Sequence, residues 1–354
     1  MATGIAVLNF GEPSEPARDA VVDYLERIFL ANMEIEGDTT PDAARERAHE
    51  LAERRVPALI EEYEAIGGSP LNAHAEKQAR LLESELANRG YDVTTYNGFQ
   101  FTEPFVEDAA AAAFDDGVSQ LIGLPLYPLC GPSTTVQALE DLSAAVDDQG
   151  WDPDYHEITG WHTHSAYLRV RADAIRDALE RYGLELGSDT RLVFSAHGTP
   201  KYYLEEGSRY AQYVEEYTEI IGRMLGSPGY ELGYQNHENR DVEWTEPDVE
   251  SVVEDLDAER IVVDPVSFMH EQSETLSELD IELREEAEAQ GTEFFRVPVP
   301  YDDSRFIELL ADLVEPFVAD FDPEYYGFQS CTCRDSPTAM CLNARRNESA
   351  ARDE

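Results

Sequence analysis

The sequence predicts an α/β fold made of two similar doubly wound halves with parallel sheets and a cleft between them. Short β-branched apolar runs alternate with amphipathic helical stretches along the chain, and this pattern repeats after about residue 150. The 354 residues also suit two domains of ~100 to 200 residues each. Because ligands of doubly wound folds bind at the carboxyl ends of the strands, we expect the functional site in the cleft.

The first half, residues 1–150, begins with the apolar run GIAVLN as its first strand. The next segment places Val21, Leu25 and Ile28 on one face at helical spacing, which predicts an amphipathic helix. The expected elements are strands at 4–9, 92–96 and 119–128 and helices at 16–30, 44–65, 72–89, 104–116 and 136–147.

The second half, residues 151–325, begins in the segment WDPDYHEITG, and a tail of different composition follows at 326–354. Its most regular strand is RLVFSA, a short apolar run directly before polar residues. The expected elements are strands at 156–160, 191–196, 231–236, 260–266 and 294–297 and helices at 165–182, 209–225, 273–289 and 303–320.

The charge of the chain is unusually acidic, with 74 Asp and Glu against 26 Lys and Arg and a net charge of −48. Such a field disfavours binding to nucleic acid and attraction to an anionic membrane surface. The acidic residues are spread along the whole chain, and Lys77 and Lys201 are its lysines. Because concentrated salt screens repulsion between carboxylates, we interpret the excess as a halophilic adaptation of the surface. The 42% apolar content excludes intrinsic disorder.

The sequence predicts a cytoplasmic protein. We find neither a secretory signal nor an apolar run near the ~18 residues of a membrane span. In a reducing compartment the four cysteines are expected to be thiols or metal ligands. Peripheral membrane contact and the oligomeric state are left open.

His197 is the first candidate for chemistry, because the motif SAHGTP follows an apolar strand and precedes a helix. A neutral imidazole at a strand's carboxyl end can bind a metal ion or accept a proton near neutral pH. A purely structural histidine that forms a hydrogen bond is the alternative.

A row of glutamates forms the second candidate. Glu274, Glu278 and Glu282 recur every four residues on the helix expected at 273–289 and therefore lie along one stripe. In so acidic a chain the stripe fits a solvated surface. The alternative is a row of oxygen ligands that conducts a divalent cation inward.

The cysteines form the third candidate, because Cys331, Cys333 and Cys341 cluster in the tail and Cys130 follows LPLYPL. Four thiolates could hold an iron-sulfur cluster or a zinc ion. Four unrelated thiols are the alternative.

Taken together, several segments resemble the ferrochelatase family, whose members insert ferrous iron into a porphyrin during haem synthesis. The resemblance spans nearly the whole chain and keeps the family's order. Its motifs are LNFGEP (8–13), GGSPLN (67–72), LPLYP (124–128) with STT (133–135), SAHG (195–198) with Pro200, YQ (234–235) with Trp244 and Pro247, and ETLSELD (274–280).

The resemblance implies two Rossmann-like, chelatase-like domains, with ferrous iron and a porphyrin as substrates. His197 then matches the metal-binding, proton-accepting histidine, and Glu274 matches the glutamate that faces it across the porphyrin. Glu278 and Glu282 match the acidic stripe that leads away from Glu274. The candidate porphyrin contacts are Phe10, Arg27, Tyr127 and Trp244.

Some family members also hold a 2Fe-2S cluster on three C-terminal cysteines and one internal cysteine. The distribution of Cys130, Cys331, Cys333 and Cys341 resembles that arrangement, and the resemblance implies a 2Fe-2S cofactor.

Two departures from the family pattern affect the expected chemistry. The usual Asp-His pair before Glu274 is replaced by Glu271 and Gln272, so proton handling at this point is expected to differ. Some relatives that use coproporphyrin carry a tyrosine where this chain has Phe10, which favours protoporphyrin IX as the substrate.

Three other functions remain open on the sequence. A chelatase of the same fold could act on coproporphyrin III or on a sirohydrochlorin-type ring. A haem or porphyrin carrier without catalysis is a second alternative, and an iron-sulfur redox sensor is a third.

We expect folding and activity to be lost together when concentrated salt is removed. Repulsion among 74 carboxylates strengthens as the Debye length grows from ~3 Å at 1 M to ~10 Å at 0.1 M salt. Circular dichroism and turnover measured along a salt titration would test this expectation. Full activity in dilute buffer would contradict it.

Overall fold

The computed structural model describes residues 2–32, 40–226, 229–236 and 242–343, whose strands form two sheets. The strands are β1 (Thr3–Asn9), β2 (Val93–Phe99), β3 (Gln120–Pro125), β4 (Asp154–Ile158), β5 (Thr190–His197), β6 (Tyr230–Gln235), β7 (Arg260–Pro265), β8 (Glu293–Arg296), β9 (Gln329–Ser330) and β10 (Ala339–Cys341). The first sheet has the order β2-β1-β3-β4-β10-β9, and the second has the order β6-β5-β7-β8. The predicted α/β class is confirmed.

Helices connect the strands and cover the sheets. They are α1 (Arg18–Ala31), α2 (Pro41–Ile66), α3 (Leu71–Asn88), α4 (Val106–Asp115), α5 (Gln137–Asp148), α6 (Ser165–Tyr182), α7 (Lys201–Glu205), α8 (Tyr210–Leu225), α9 (Val249–Glu254), α10 (Arg284–Ala289) and α11 (Ser304–Val318). Among the described residues, no helix is both long enough and apolar enough to cross a membrane.

Each sheet contains a largely buried interior strand beside its first edge strand. All seven residues of β1 are buried, and β1 pairs in parallel with β2 and β3. In the second sheet β5 occupies the equivalent place between β6 and β7, again with parallel pairing. Strands buried on both faces read as continuous apolar runs, which explains why GIAVLN and RLVFSA were recognisable in the sequence.

The structure corrects the division of the chain at residue 150. Strand β4, expected to open the second half, pairs in parallel with β3 and so belongs to the first sheet. The tail is also part of this sheet, because β10 pairs in parallel with β4 and β9 pairs antiparallel with β10. Strand β4 pairs with the edge of β3 that β1 leaves uncovered, and the tail strands in turn cover the outer edge of β4, so the backbone groups at both edges find partners.

The two halves are further joined by α11. Although α11 follows the second sheet in the chain, Gln120 of β3 donates to the carbonyl of Phe317 over 3.1 Å. The ring of Phe317 also lies 5.3 Å from that of His156 in β4. One continuous apolar core therefore contains residues of both sheets, such as Val7 and Val262.

The helix expected at 273–289 forms as two segments with different geometry. Glu274–Leu283 is a π-helix, and the α-helix α10 continues from Arg284. A π-helix is rare and is frequently found at functional sites. The periodicity of apolar residues predicted the helix correctly but could not reveal this wider winding.

A buried ion pair fixes α6 against β7. The side chains of Arg171 and Asp264 are fully buried and form a short hydrogen-bonded contact. Asp264 also accepts from the hydroxyl of Tyr217 over 3.0 Å, and Arg171 donates to the carbonyl of Pro298 over 2.8 Å. Burial of both charges is tolerated because each has partners.

We expect Arg171→Leu to lower the free energy of unfolding by about 3 to 5 kcal/mol, because it leaves the Asp264 carboxylate buried without its cation. Arg176→Leu is the matched control on the same helix, since the exposed pair of Arg176 and Asp173 should contribute at most about 1 kcal/mol. Denaturant unfolding at constant salt measures both. Equal losses in the two variants would contradict the prediction.

Candidate functional site

A cleft opens at the carboxyl ends of β1, β3 and β5, where the two sheets approach each other. This is the edge at which doubly wound folds bind ligands. Its lining contains six of the residues predicted from the sequence, namely Phe10, Tyr127, His197, Trp244, Glu274 and Glu278. Two further predicted residues, Arg27 and Glu282, are not part of this lining.

His197 is the last residue of β5, and its side chain is 31% exposed. Its Nδ1 lies 2.7 Å from the carbonyl oxygen of Gly198, a contact that requires a proton on Nδ1. In the neutral ring Nε2 is then the nitrogen that accepts. Nε2 lies 3.9 Å from Oε1 of Glu274.

The backbone around His197 is fixed by close packing. The carbonyl of His197 accepts from the hydroxyl of Tyr210 over 2.9 Å. At Gly198 a Cβ atom would lie 1.8 Å from Oδ1 of Asn236, so the loop after β5 requires a glycine. The Gly that follows the histidine in the SAHG motif is therefore explained by a close approach between β5 and β6.

Glu274 begins the π-helix, and its side chain is 15% exposed. Burial raises the pKa of its carboxyl, and the neighbouring Glu278 carboxylate raises it further, whereas His197 acts in the opposite direction. Gln272 donates to Oε2 of Glu274. A carboxyl with a raised pKa exchanges protons more readily near neutral pH than an exposed glutamate does.

Glu278 lies one turn further along the same segment. Burial raises the pKa of its carboxyl to about 7, while a hydrogen bond from Gln235 lowers it. Gln235 donates over 2.9 Å to Oε2 of Glu278 and over 3.1 Å to the backbone carbonyl of Glu274. Its own side-chain oxygen accepts from Ser195 of β5 over 2.9 Å, so the amide joins the histidine strand to the glutamate helix.

Glu282 lies at the exposed end of the row. It accepts a hydrogen bond from Ser277 over 3.3 Å. Its carboxylate also raises the pKa of Glu62, although burial is the larger cause there. Glu282 therefore stands outside the cleft but close to an acidic residue of its lining.

Arg27 is exposed, and its guanidinium carbon lies 4.0 Å from the centre of the Phe105 ring. The cation within the described lining of the cleft is instead Arg55 of α2, which forms an ion pair of 2.8 Å with Glu62. Sequence reasoning missed Arg55 and Glu62, because both lie in a charged helix without a recognisable motif.

Aromatic side chains also line the cleft. The ring of Phe10 lies 4.5 Å from that of Phe101 and 6.4 Å from that of Tyr24. Tyr24 also lines the cleft and was not predicted from the sequence. Tyr127 donates from its hydroxyl to Gln100 over 3.1 Å, which holds its ring in place.

The residues that replace the usual Asp-His pair have distinct environments. Glu271 forms an ion pair of 3.1 Å with Arg296, and Gln272 contacts Glu274. His270 lines the cleft, and its Nε2 lies 2.8 Å from Oδ1 of Asn9. Burial lowers the pKa of His270 to about 3, so its ring is neutral at physiological pH.

The four cysteines lie together although Cys130 is distant in sequence from the others. The sulfur atoms of Cys130, Cys331 and Cys333 lie within 4.8 Å of one another. The thiols of Cys130, Cys333 and Cys341 lower the pKa of Cys331, which places the fourth cysteine at the same cluster. Four clustered thiols, with a low pKa at one, suit either a zinc ion or an iron-sulfur cluster.

A position beside this cysteine cluster was not predicted. The hydroxyl of Tyr213 lies 3.2 Å from the sulfur of Cys333. Tyr213 lies on α8, and its contact with Cys333 depends on tertiary packing, which the sequence around it does not predict.

Comparison with solved structures shows the same fold. A structure described as SirB from Bacillus subtilis with Fe3+ aligns with a TM-score of 0.51 at 10% identity, covering 91% of this chain and 99% of that one. At this identity the likeness concerns the fold alone.

Comparison of sequences is more specific. The family model described as Ferrochelatase matches residues 2–317. A relative named Ferrochelatase from Synechococcus sp. (strain RCC307) is 37% identical over 325 residues, covering 89% of this chain and 82% of the relative. Another of that name, from Gloeobacter violaceus, is 33% identical and covers 88% and 96%. The chain therefore belongs to the ferrochelatase family, whose members are metal-chelating lyases.

Proposed function

We propose that this enzyme inserts Fe2+ into protoporphyrin IX to form protohaem, with release of two protons. The observation that carries the proposal is the approach of His197 and Glu274 to 3.9 Å within a cleft lined by aromatic rings. A metal ligand and a proton acceptor at one point of such a cleft are what metal insertion requires.

Two pyrrole protons must leave the porphyrin for each iron that enters, so the site needs proton acceptors. His197 is proposed as the base or first iron ligand, because its Nδ1 contact with Gly198 makes Nε2 the accepting nitrogen. Glu274 is proposed as its partner. The raised pKa of Glu274 fits a group that takes up and passes on a proton near neutral pH.

Iron must also reach the ring and lose water. The row of Glu282, Glu278 and Glu274 offers oxygen ligands from the exposed end of the helix to the cleft. We propose that a hydrated iron ion moves along this row and exchanges water for carboxylate oxygens. Glu62, which faces the row from α2, contributes a fourth carboxylate.

The porphyrin is proposed to lie against the aromatic part of the lining, in contact with Phe10, Tyr127 and Trp244. Its carboxylates need cations, which this chain rarely supplies. Arg55 is better placed than Arg27 for this role, although the exposed Arg27 could meet a carboxylate that extends out of the cleft. Phe10 presents an apolar ring, which favours protoporphyrin IX over coproporphyrin III.

We propose that the enzyme acts in the cytoplasm on free porphyrin and ferrous iron and does not bind nucleic acid. The net charge of −48 supports this, because it repels polyanions.

We expect His197→Ala to lower insertion of Fe2+ by at least about 10²- to 10⁴-fold, the usual contribution of a general base. The measurement is an anaerobic assay in concentrated salt, with protoporphyrin IX and coproporphyrin III in parallel. His49→Ala, which alters an exposed histidine paired with Glu26, is the matched control.

Near-normal turnover by the folded His197→Ala variant would refute the assigned role. Faster turnover of coproporphyrin III would reassign the substrate. Porphyrin binding without turnover by the unaltered enzyme would indicate a carrier.

We also propose that Cys130, Cys331, Cys333 and Cys341 hold a 2Fe-2S cluster. The clustering of four thiols around Cys331 supports this assignment. When bound, such a cluster supplies one-electron redox chemistry or a cross-link between segments. The cysteines themselves would fix β10 and the loop between β9 and β10 against the segment that contains Cys130.

We expect the unaltered protein to bind iron and acid-labile sulfide in equal amounts. Cys333→Ser and Cys341→Ser should each abolish this binding, because each removes one of four ligands. Metal and sulfide analysis, with visible absorption spectra, measures the cluster directly. Thr332→Ser, between two of the cysteines, is the control and should retain it. Zinc without sulfide in the unaltered protein would replace the proposed cluster with a zinc site.

A further inference from the structure

Glu12 is a buried carboxylate in the loop after β1, and the proposed chemistry does not use it. Only 2% of the residue is exposed, and burial raises the pKa of its carboxyl to about 7. It does not line the cleft, whereas Phe10, two residues earlier in the same loop, does. A buried carboxylate needs hydrogen-bond donors that replace its water, so the partners of Glu12 indicate its role.

Hydrogen bonds to Glu12 come from three separate segments. The hydroxyl of Tyr63 on α2 donates over 3.3 Å, and the hydroxyl of Ser69 makes a shorter contact. The backbone N–H of Ser273 donates over 3.1 Å, and its hydroxyl also donates to Glu12. Each of these donors is neutral, so the carboxylate is satisfied without a counter-ion.

The contact with Ser273 has a particular consequence, because this residue directly precedes Glu274 and stands at the N-cap position of the π-helix, where its own side chain makes no capping hydrogen bond. A carboxylate that accepts from the first N–H groups of a helix satisfies donors that have no partner within the helix. Glu12 therefore fixes the start of the helix at the point where the proposed catalytic carboxylate leaves it. It does so from the first half of the molecule, 261 residues away in sequence.

We infer that Glu12 is a positioning residue, which holds Ser273 so that the Glu274 carboxylate stays opposite His197. This inference rests on the role proposed for Glu274. Phe10 belongs to the same loop as Glu12. The contact of Glu12 with Ser273 therefore also fixes the position of Phe10, a proposed porphyrin contact, relative to the helix that carries Glu274. A displacement of about 1 Å at a reacting group can reduce a rate by ~10²-fold.

The test compares Glu12→Ala, Glu12→Gln and Ser273→Ala with the unaltered enzyme. Glu83→Ala is the matched control, because Glu83 also accepts from one backbone N–H and one hydroxyl, both of Thr95, and does not line the cleft. For each variant, kcat and the KM for Fe2+ are measured anaerobically. The Kd for protoporphyrin IX is measured separately by quenching of protein fluorescence.

We expect Glu12→Ala to lower kcat/KM for Fe2+ by ~10²-fold while the Kd for the porphyrin changes less than about threefold. Glu12→Gln should retain most of the rate, because its amide oxygen still accepts from Ser273. The double variant that combines Glu12→Ala with Ser273→Ala should lose little more than Glu12→Ala alone, since the contact of the Ser273 hydroxyl with Glu12 is then already removed. Glu83→Ala should stay within about twofold of the unaltered enzyme.

Unchanged kcat/KM in Glu12→Ala would overturn the inference, and so would a parallel loss of porphyrin binding, which indicates a general structural role. Equal losses in Glu12→Gln and Glu12→Ala would also overturn it. If Glu12→Ala does not fold, kcat/KM for Fe2+ is compared between Glu12→Gln and Ser273→Ala. A lower value in Ser273→Ala than in Glu12→Gln supports the inference, and equal values overturn it. Glu274→Gln separates the two hypotheses: if that variant is active, the proposed role of Glu274 fails whatever Glu12 does.

Discussion

Three carboxylates, one of them buried and two half-buried, lie close to one another, and the architecture of the site depends on keeping them there. Glu12, Glu274 and Glu278 lie within or behind one wall of the cleft, and burial raises the pKa of each. An isolated buried carboxylate would cost several kcal/mol unless donors replaced its water. The structure supplies these donors from three directions: from α2 and the loop after it, from β6, and from the start of the π-helix.

The chemical type of these donors matters as much as their number. The donors described for Glu12 and Glu278 are serine, tyrosine and glutamine side chains with one backbone N–H, which satisfy oxygen lone pairs without neutralising charge. Elsewhere in the molecule buried acids are paired with arginine, as Asp264 is with Arg171 and Glu157 with Arg334. Because the partner described for the Glu278 carboxyl is the neutral amide of Gln235, its oxygen atoms can bind a divalent cation, which a neighbouring arginine would repel.

Much of the fold was predictable from the sequence, and the reasons are local. Strands β1 and β5 are buried on both faces and therefore appear as continuous apolar runs, which also fixed His197 at a strand's end. The membership of β4 in the first sheet was not predictable, because a short strand carries no information about which edge it joins. The position of Glu274 in the ETLSELD motif identified it among 74 acidic residues. Glu12, Arg55 and Glu62 are placed at the site by tertiary contacts, which no local sequence pattern predicts.

The place of the tail links the cysteine cluster to the cleft. Cys130 lies between Leu129 and Gly131, both of which line the cleft, so its sulfur points to the cluster from the back of the same wall. On α8, Tyr210 bonds the carbonyl of His197, and Tyr213, one turn later, contacts Cys333. The tail strands, in turn, complete the edge of the first sheet beyond β4. A group held by the four cysteines, as proposed above, would therefore brace the loop and helix that hold His197.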